Sequence, residues 1–295
     1  PAAAKPTPAA CAPQSTWPQH SRAAGPERPH RLRSRRLVKH QPRKRFGQNF
    51  LVDAGVIAAI VAAIAPARDD RIVEIGPGRG ALTRPLLAAV EHLHAIEIDR
   101  DLAAALTREF APRLTVHTAD VLGFDFAALG NALRVVGNLP YNISTPLLFQ
   151  LDRYGEQIRD IHVMLQKEIV ARMVAVPSSS AYGRLSVMLQ YRFQLEKLID
   201  VPAVAFDPAP KVESAVVRLT PLRPPRVAAH DYAWFARIVK TAFSQRRKTL
   251  RNSLSGFLAE PDWRSLAIAP TARAQELSVA QFVAIADYVS RRGAG

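Results

Sequence analysis

In "VVGNLPYNIS" an amide, a fixed backbone and an aromatic face (Asn138, Leu139, Pro140, Tyr141) arrive together where a buried strand should stop. Turn chemistry alone accounts for Asn and Pro at a strand end. A second reading has chemical content. The exocyclic amine of a nucleobase is a poor nucleophile, because its lone pair is delocalised into the ring. Acceptors at the Asn138 side-chain oxygen and the Leu139 carbonyl would take its N–H groups, favour the pyramidal nitrogen and aim the lone pair at an electrophilic carbon. Pro140 holds the backbone, and Tyr141 offers a face for a base drawn out of its helix. Catalysis of this kind is positioning and electrostatics with no covalent step. Attack through cytosine C5 would need a cysteine nucleophile, and the one cysteine is Cys11, far from any motif.

A glycine-rich stretch supplies the matching ligand chemistry. In "VEIGPGRGALT" (73–83), Gly76, Gly78 and Gly80 let the backbone turn tightly and approach a ligand closely. Gly76, Gly78 and Ala81 also satisfy the dinucleotide pattern, so adenosine cofactors as a class are implied. Glu97 lies 21 residues after Gly76, the spacing at which a carboxylate accepts from ribose hydroxyls. Its neighbour Asp99 is assigned to a helix cap before Leu102. Asp120, in "TAD", is placed to accept from the amine of a cofactor adenine, with a plain turn as the alternative. NAD and S-adenosylmethionine both remain open at this point, because both carry an adenosine ribose.

These groups need a scaffold. From Arg71 onward short β-branched runs ("RIVEIG", "LHAIEID", "LTVHTAD", "LRVVGN", "IHVML") alternate with helical patterns, which predicts an α/β fold with a parallel sheet covered on both faces. Thr145 and Pro146 predict a helix start, placing "NLPY" between a strand and a helix at the carboxyl edge of the sheet. "PLRPPRVAAHD" reads as a linker. The segment "DYAWFARIVKTAFSQRRKTLRNSL" reads as helical, with Phe243, Leu250 and Leu254 inward and most of Arg246, Arg247, Lys248 and Arg251 outward. Ser278 and Gln281 sit in capping-box positions before a last helix. The organisation expected is a basic extension over 1–41, an α/β domain over 42–222 and a small helical domain over 223–295.

The chain has 295 residues, a formal charge of +15 and 48% hydrophobic residues. Eleven Lys or Arg and one Glu lie between Pro1 and Arg45. This basic balance points to a polyanionic partner, and nucleic acid fits best. Residues 1–41 lack the apolar periodicity that would offset the entropy of ordering. A transit peptide, a cloning scar and upstream read-through are three open origins for them. No apolar run approaches the roughly 20 residues that span a bilayer, and a single cysteine excludes a disulfide framework or a cysteine-based metal site. A cytoplasmic enzyme is expected.

The chain resembles the ribosomal RNA adenine N6-dimethyltransferase family. The resemblance is carried by "RKRFGQNFL", "VEIGPGRGALT", "IEIDRDL", "NLPYNIST", "QKEIVARM", "YGRLSVMLQYRF", "FDPAPKVESAVVRL" and "FSQRRKTLRNSL", in family order across 43–290. Within the family "NLPY", "YGRLSVM" and "FSQRRKTLRNSL" are more similar to the bacterial small-subunit enzymes than to the macrolide-resistance methylases. The resemblance implies a Rossmann-like methyltransferase domain with a small C-terminal helical domain, S-adenosyl-L-methionine as donor, and dimethylation of two adjacent adenosines in the terminal hairpin of 16S rRNA by a monomer. Cofactor contacts would be Asn49, Leu51, Gly76, Gly78, Glu97, Asp120 and Asn138. Phe206 in "FDPAPKV" would give a second stacking face, with core packing as its alternative. Arg43, Lys44 and Arg45 would join the C-terminal cations in holding RNA. An oxidoreductase on the same glycine loop explains neither "NLPY" nor the basic C-terminal segment. A non-catalytic assembly factor on the same fold is the other alternative, and intact Glu97, Asp120 and "NLPY" argue against it.

Overall fold

The structure is a computed structural model, and it describes residues 49–140, 142–224, 227–245 and 247–293. Among the described residues nine strands form two sheets: β1 (Phe50–Leu51), β2 (Arg71–Ile75), β3 (Leu93–Glu97), β4 (Leu114–Thr118), β5 (Leu133–Asn138), β6 (Ile158–Gln166), β7 (Phe193–Val201), β8 (Phe206–Asp207) and β9 (Ser214–Pro221). The large sheet has the order β4-β3-β2-β5-β6-β9-β7. Strands β2 to β6 pair in parallel, as their near-continuous apolar runs predict, whereas β9 pairs antiparallel with both β6 and β7. The wholly parallel sheet is therefore corrected at one end. The other two strands, β1 and β8, form a small antiparallel ribbon.

The helices are α1 (Ala54–Ile64), α2 (Thr83–Ala89), α3 (Arg100–Phe110), α4 (Ser144–Asp152), α5 (Lys167–Val174), α6 (Arg184–Arg192), α7 (Tyr232–Ala242), α8 (Leu250–Ser253), α9 (Glu260–Leu266) and α10 (Val279–Gly293). Asp53 caps α1 by accepting from Val56 N at 2.8 Å. The apolar run of α1 turns Ile60 and Ile64 inward, against Ile72, Leu86, Val136 and Val216 on one face of the sheet. On the other face Val73, Ile75, Val135 and Val163 pack with Leu147, Leu148 and Leu151 of α4. Arg134, at the start of β5, joins α1 to the sheet: its guanidinium donates to Asp70 at 2.6 Å, to Asp160 at 2.9 Å and to the Ile64 carbonyl at 2.6 Å. A third core gathers Phe235, Ile238, Leu250, Leu254, Trp263 and Phe282, and it also takes Tyr182, Val187 and Tyr191 from the region before the linker.

Two local expectations change. Helix α4 begins at Ser144 behind a non-capping Ile143, and the Ser144 hydroxyl donates to the Pro140 carbonyl at 3.0 Å, so Thr145 lies inside the first turn. The basic C-terminal segment is broken: α7 ends at Ala242, a 3-10 turn covers Phe243–Gln245, and α8 restarts at Leu250. The polar run from Ser244 to Thr249 has no apolar residue to bury. After it, Leu250 N and Arg251 N donate to the carbonyls of Ala272 and Pro270 at 2.8 and 3.0 Å.

Helix crossovers leave β2 toward β3 and β5 toward β6, in opposite directions along the sheet, so a crevice opens between the carboxyl ends of these adjacent strands. The crevice depends on Gly137. A Cβ there would lie 2.6 Å from the Ile75 carbonyl oxygen of the neighbouring strand. Gly137→Ala is expected to cost about 1 to 3 kcal/mol, read as a melting temperature lower by roughly 2 to 10 °C. An unchanged melting curve would show that the two strands separate freely.

Candidate functional site

The carboxyl ends of β2, β3 and β5, the loop after β4 and the strand β1 surround one pocket, with about 1320 Å³ of empty space, part of it open to solvent. Asn49, Leu51, Gly76, Gly78, Glu97, Asp120, Asn138 and Leu139 all line it. The sheet thus brings together residues that are 89 positions apart. Tyr141, Arg43, Lys44, Arg45 and Arg246 lie outside the described residues, as does the extension over 1–41.

The glycine loop is shaped by left-handed backbone at Gly76 (φ 64°) and Gly78 (φ 57°), and a Cβ on Gly78 would press on the Phe50 ring at 3.1 Å. The loop amide of Gly78 donates to Glu97 Oε2 at 3.2 Å, and Asp99 N donates to Oε1 at 2.9 Å. Glu97 is therefore held in one orientation at the pocket wall, only 5% exposed. Burial raises its pKa, and the backbone amides of Asp99, Gly78 and Ile98 partly offset that rise. Asp99 Oδ1 accepts from Asp101 N at 3.0 Å as the N-cap of α3, the role its spacing predicts. Asp120 is a local cap of the same kind. Its Oδ1 accepts from Leu122 N at 2.9 Å, while the residue stays exposed at the pocket edge.

At the end of β5, Asn138 Nδ2 donates to the Asn49 backbone carbonyl at 3.1 Å. This bond uses one of the two Nδ2 hydrogens and orients the amide, with Oδ1 as its acceptor. The Leu139 side chain is buried at 1% exposure among Val73, Leu147 and Val163, and its amide donates to the Met164 carbonyl at 3.2 Å. Packing of this kind, worth about 1.5 to 3 kcal/mol for a fully buried leucine, fixes the backbone whose carbonyl the sequence singled out. Phe206 does not line the pocket. It is 5% exposed and packs with Leu51, Ile60 and Val201, so the core-packing alternative describes its position here. Arg247 and Lys248 are exposed in the connection between α7 and α8, and Arg251 pairs with Glu260 at 3.1 Å.

Sequence reasoning passed over Glu74, a pocket residue inside β2. It is 2% exposed, accepts from the Thr83 hydroxyl at 2.6 Å, and burial pushes its pKa up to about 7. An acidic residue amid Ile72, Val73 and Ile75 on a central strand is the signal that marks it. A pKa raised above the unfolded value of 4.5 gives stability that is complete below that value and lost as pH rises through about 7. The ligand-free protein is expected to be less stable, and to melt at lower temperature, at pH 8 than at pH 5.5, with about 2 kcal/mol of the difference from this group. Glu74→Gln should flatten that dependence, and an identical slope in the variant would refute the assignment.

Comparison with known proteins agrees with this geometry. Residues 39–291 match the family model described as ribosomal RNA adenine dimethylase. A protein from Nitrosospira multiformis named ribosomal RNA small subunit methyltransferase A is 58% identical over 259 residues, covering 88% of this chain and all of its own length. One of the same name from Thiobacillus denitrificans is 59% identical over 254 residues, 86% of this chain and all of that one. Among solved structures, a dimethyladenosine transferase from Plasmodium falciparum superposes with a TM-score of 0.70 at 23% identity, covering 83% of this chain and 98% of that one, a likeness of fold. The 23S rRNA methyltransferase ErmE gives 0.66 at 25% identity, covering 82% and all of the two chains. With the family model matched over residues 39–291 and 58% identity across the whole of the Nitrosospira multiformis protein, the chain belongs to the ribosomal RNA adenine dimethylase family.

Proposed function

We propose that the protein transfers methyl groups from S-adenosyl-L-methionine to the N6 amines of two adjacent adenosines in the 3'-terminal hairpin of 16S rRNA within the small ribosomal subunit. The observation that carries this reading is the hydrogen bond from Asn138 Nδ2 to Asn49 O, because it leaves the amide oxygen as an acceptor beside a pocket suited to an adenosine cofactor. Bound there, the cofactor supplies a sulfonium methyl. Glu97 would accept from its ribose hydroxyls, Asp120 would accept from its adenine amine, and the loop at Gly76 and Gly78 would lie against it. Asn49 and Leu51 close the pocket from the β1 side.

The target adenine reaches the pocket only when flipped from its helix. Asn138 Oδ1 and the Leu139 carbonyl accept its N6 hydrogens, which localises the lone pair on nitrogen. The nitrogen held in this way would take the methyl that a sulfonium donor supplies, and its displaced proton would leave to solvent. The first product keeps one N–H, so one of the two acceptors holds it for the second transfer. Tyr141 would stack on the base, while Phe206, packed in the core, supplies no second face in this arrangement. Exposed Arg247 and Lys248, with Arg43, Lys44, Arg45, Arg246 and Arg251, contact rRNA phosphates. The α/β portion over 42–222 carries the chemistry, the helical portion over 223–295 holds RNA, and the enzyme works as a monomer in the cytoplasm. Among the described residues no helix is long and apolar enough to cross a membrane.

Titration with S-adenosylmethionine and with NAD, followed by methyl transfer to separated small and large subunits, tests this reading. Binding of S-adenosylmethionine alone and transfer only to the small subunit are expected. NAD binding without S-adenosylmethionine binding, or transfer to the large subunit, would contradict it.

A further inference from the structure

We propose that Arg79 is a positioning residue that latches the β1–β8 ribbon over the cofactor pocket and so sets how long the cofactor stays bound. The proposal rests on the cofactor reading above. Arg79 belongs to the glycine loop and lines the pocket. Its guanidinium carbon lies 4.2 Å from the centre of the Phe50 ring, and its Nη1 lies 3.7 Å from Asp207 Oδ2. Phe50 and Asp207 are directly paired across the ribbon. One side chain of the loop therefore holds both strands of the ribbon at the same rung.

The ribbon needs such a partner. Each strand has two residues, and a ladder of that length is marginal by itself. Its other backbone support runs from Val52 N and Asp53 N to the Ala205 carbonyl, at 2.9 and 3.3 Å. Beneath it the Phe50 ring lies flush on Gly78, so ring, loop and guanidinium form one layered contact. Asn49, one residue before, accepts from Asn138. Movement of the ribbon thus moves both the pocket wall and the group that orients Asn138.

The strength of the latch suits opening in each cycle. The side chains of Arg79 and Asp207 are 37% and 69% exposed, which leaves the ion pair weak and screened by salt. The ring contact supplies most of the hold. A lid of this kind closes the site during transfer and still releases product.

The test measures S-adenosylmethionine dissociation by stopped flow and amide exchange of Val52 and Asp53 in the ligand-free full chain, for wild type, Arg79→Ala, Arg79→Lys, Phe50→Leu and Asp207→Asn. Arg79→Ala should release cofactor about 5-fold to 10-fold faster and speed exchange at both amides. The loss should fall on KM for S-adenosylmethionine more than on kcat. Arg79→Lys should be intermediate, because the ammonium keeps the ion pair and loses the planar stack. Phe50→Leu should reproduce most of the effect and Asp207→Asn a smaller part. Combining Phe50→Leu with Arg79→Ala should add little.

Faster release without faster ligand-free exchange would mean that Arg79 acts by touching the cofactor directly, and it would overturn the latch. Release within two-fold of wild type in Arg79→Ala would overturn it as well. A wild-type protein that fails to bind S-adenosylmethionine would instead overturn the cofactor reading.

Discussion

Asn138→Ala is expected to lower methyl transfer to small subunits by about 100-fold or more, the scale for removing one preorganised polar group from a transition state. Cofactor affinity should change far less. The reason lies in how the amide is held. Its Nδ2 is committed to the Asn49 carbonyl at 3.1 Å, so the variant loses an oriented acceptor and leaves the backbone of β5 in register with β2 and β6. The alanine fits this extended position without strain. Asn138→Asp gives a second comparison: it keeps an acceptor and loses the donor to Asn49, so it should retain more activity than alanine only if orientation matters less than the presence of an oxygen. Single-turnover rates at saturating cofactor and subunit measure the effect. A variant within a few-fold of wild type would make Asn138 a turn residue and nothing more.

Glu97→Ala should act on binding. Loss of an ionised acceptor for two hydroxyls costs about 1.5 to 3 kcal/mol, which is roughly 10-fold to 150-fold in S-adenosylmethionine affinity. The structure adds a second contribution, because Glu97 also receives the amides of Gly78 and Asp99. Removing it frees the glycine loop from β3 and leaves a buried amide without its partner. Calorimetric titration should therefore show the loss in affinity together with a modest fall in melting temperature. Asp99→Ala is the control: Asp99 caps α3 and is 1% exposed, so its loss should lower stability and spare most of the affinity. The opposite pattern, with affinity following Asp99, would move the ribose contact to that residue.

Particular residues show what was legible beforehand. The alternation of apolar strands and helices specified β2 to β6, and the capping positions of Asp99, Ser278 and Gln281 were readable because a cap is a bond between near neighbours; Ser278 N donates to Gln281 Oε1 at 2.9 Å. The pocket residues at the ends of β2, β3 and β5 followed from strand order, since a parallel sheet delivers its carboxyl ends to one edge.

Three features were hidden for physical reasons. The bond between Asn138 and Asn49 spans 89 positions and is set by packing of the ribbon, so no local pattern encodes it. The ribbon itself is too short for any periodicity to register. The break between α7 and α8 was missed because Phe243, Leu250 and Leu254 keep helical spacing, while Thr249, Leu250 and Arg251 pair their backbone with the 270–273 segment.

The chain's membership of the ribosomal RNA adenine dimethylase family makes it an S-adenosylmethionine-dependent RNA adenine methyltransferase. The site and its target are the proposal, and one measurement bears on both. Small subunits from cells lacking the modification are incubated with the purified full chain and S-adenosylmethionine, and the terminal hairpin of their rRNA is excised and digested for mass spectrometry. The account predicts N6,N6-dimethyladenosine at two neighbouring positions, with both signals lost together in Asn138→Ala. Monomethyladenosine as the only product, methyl groups on another base, or full dimethylation by the alanine variant would contradict it.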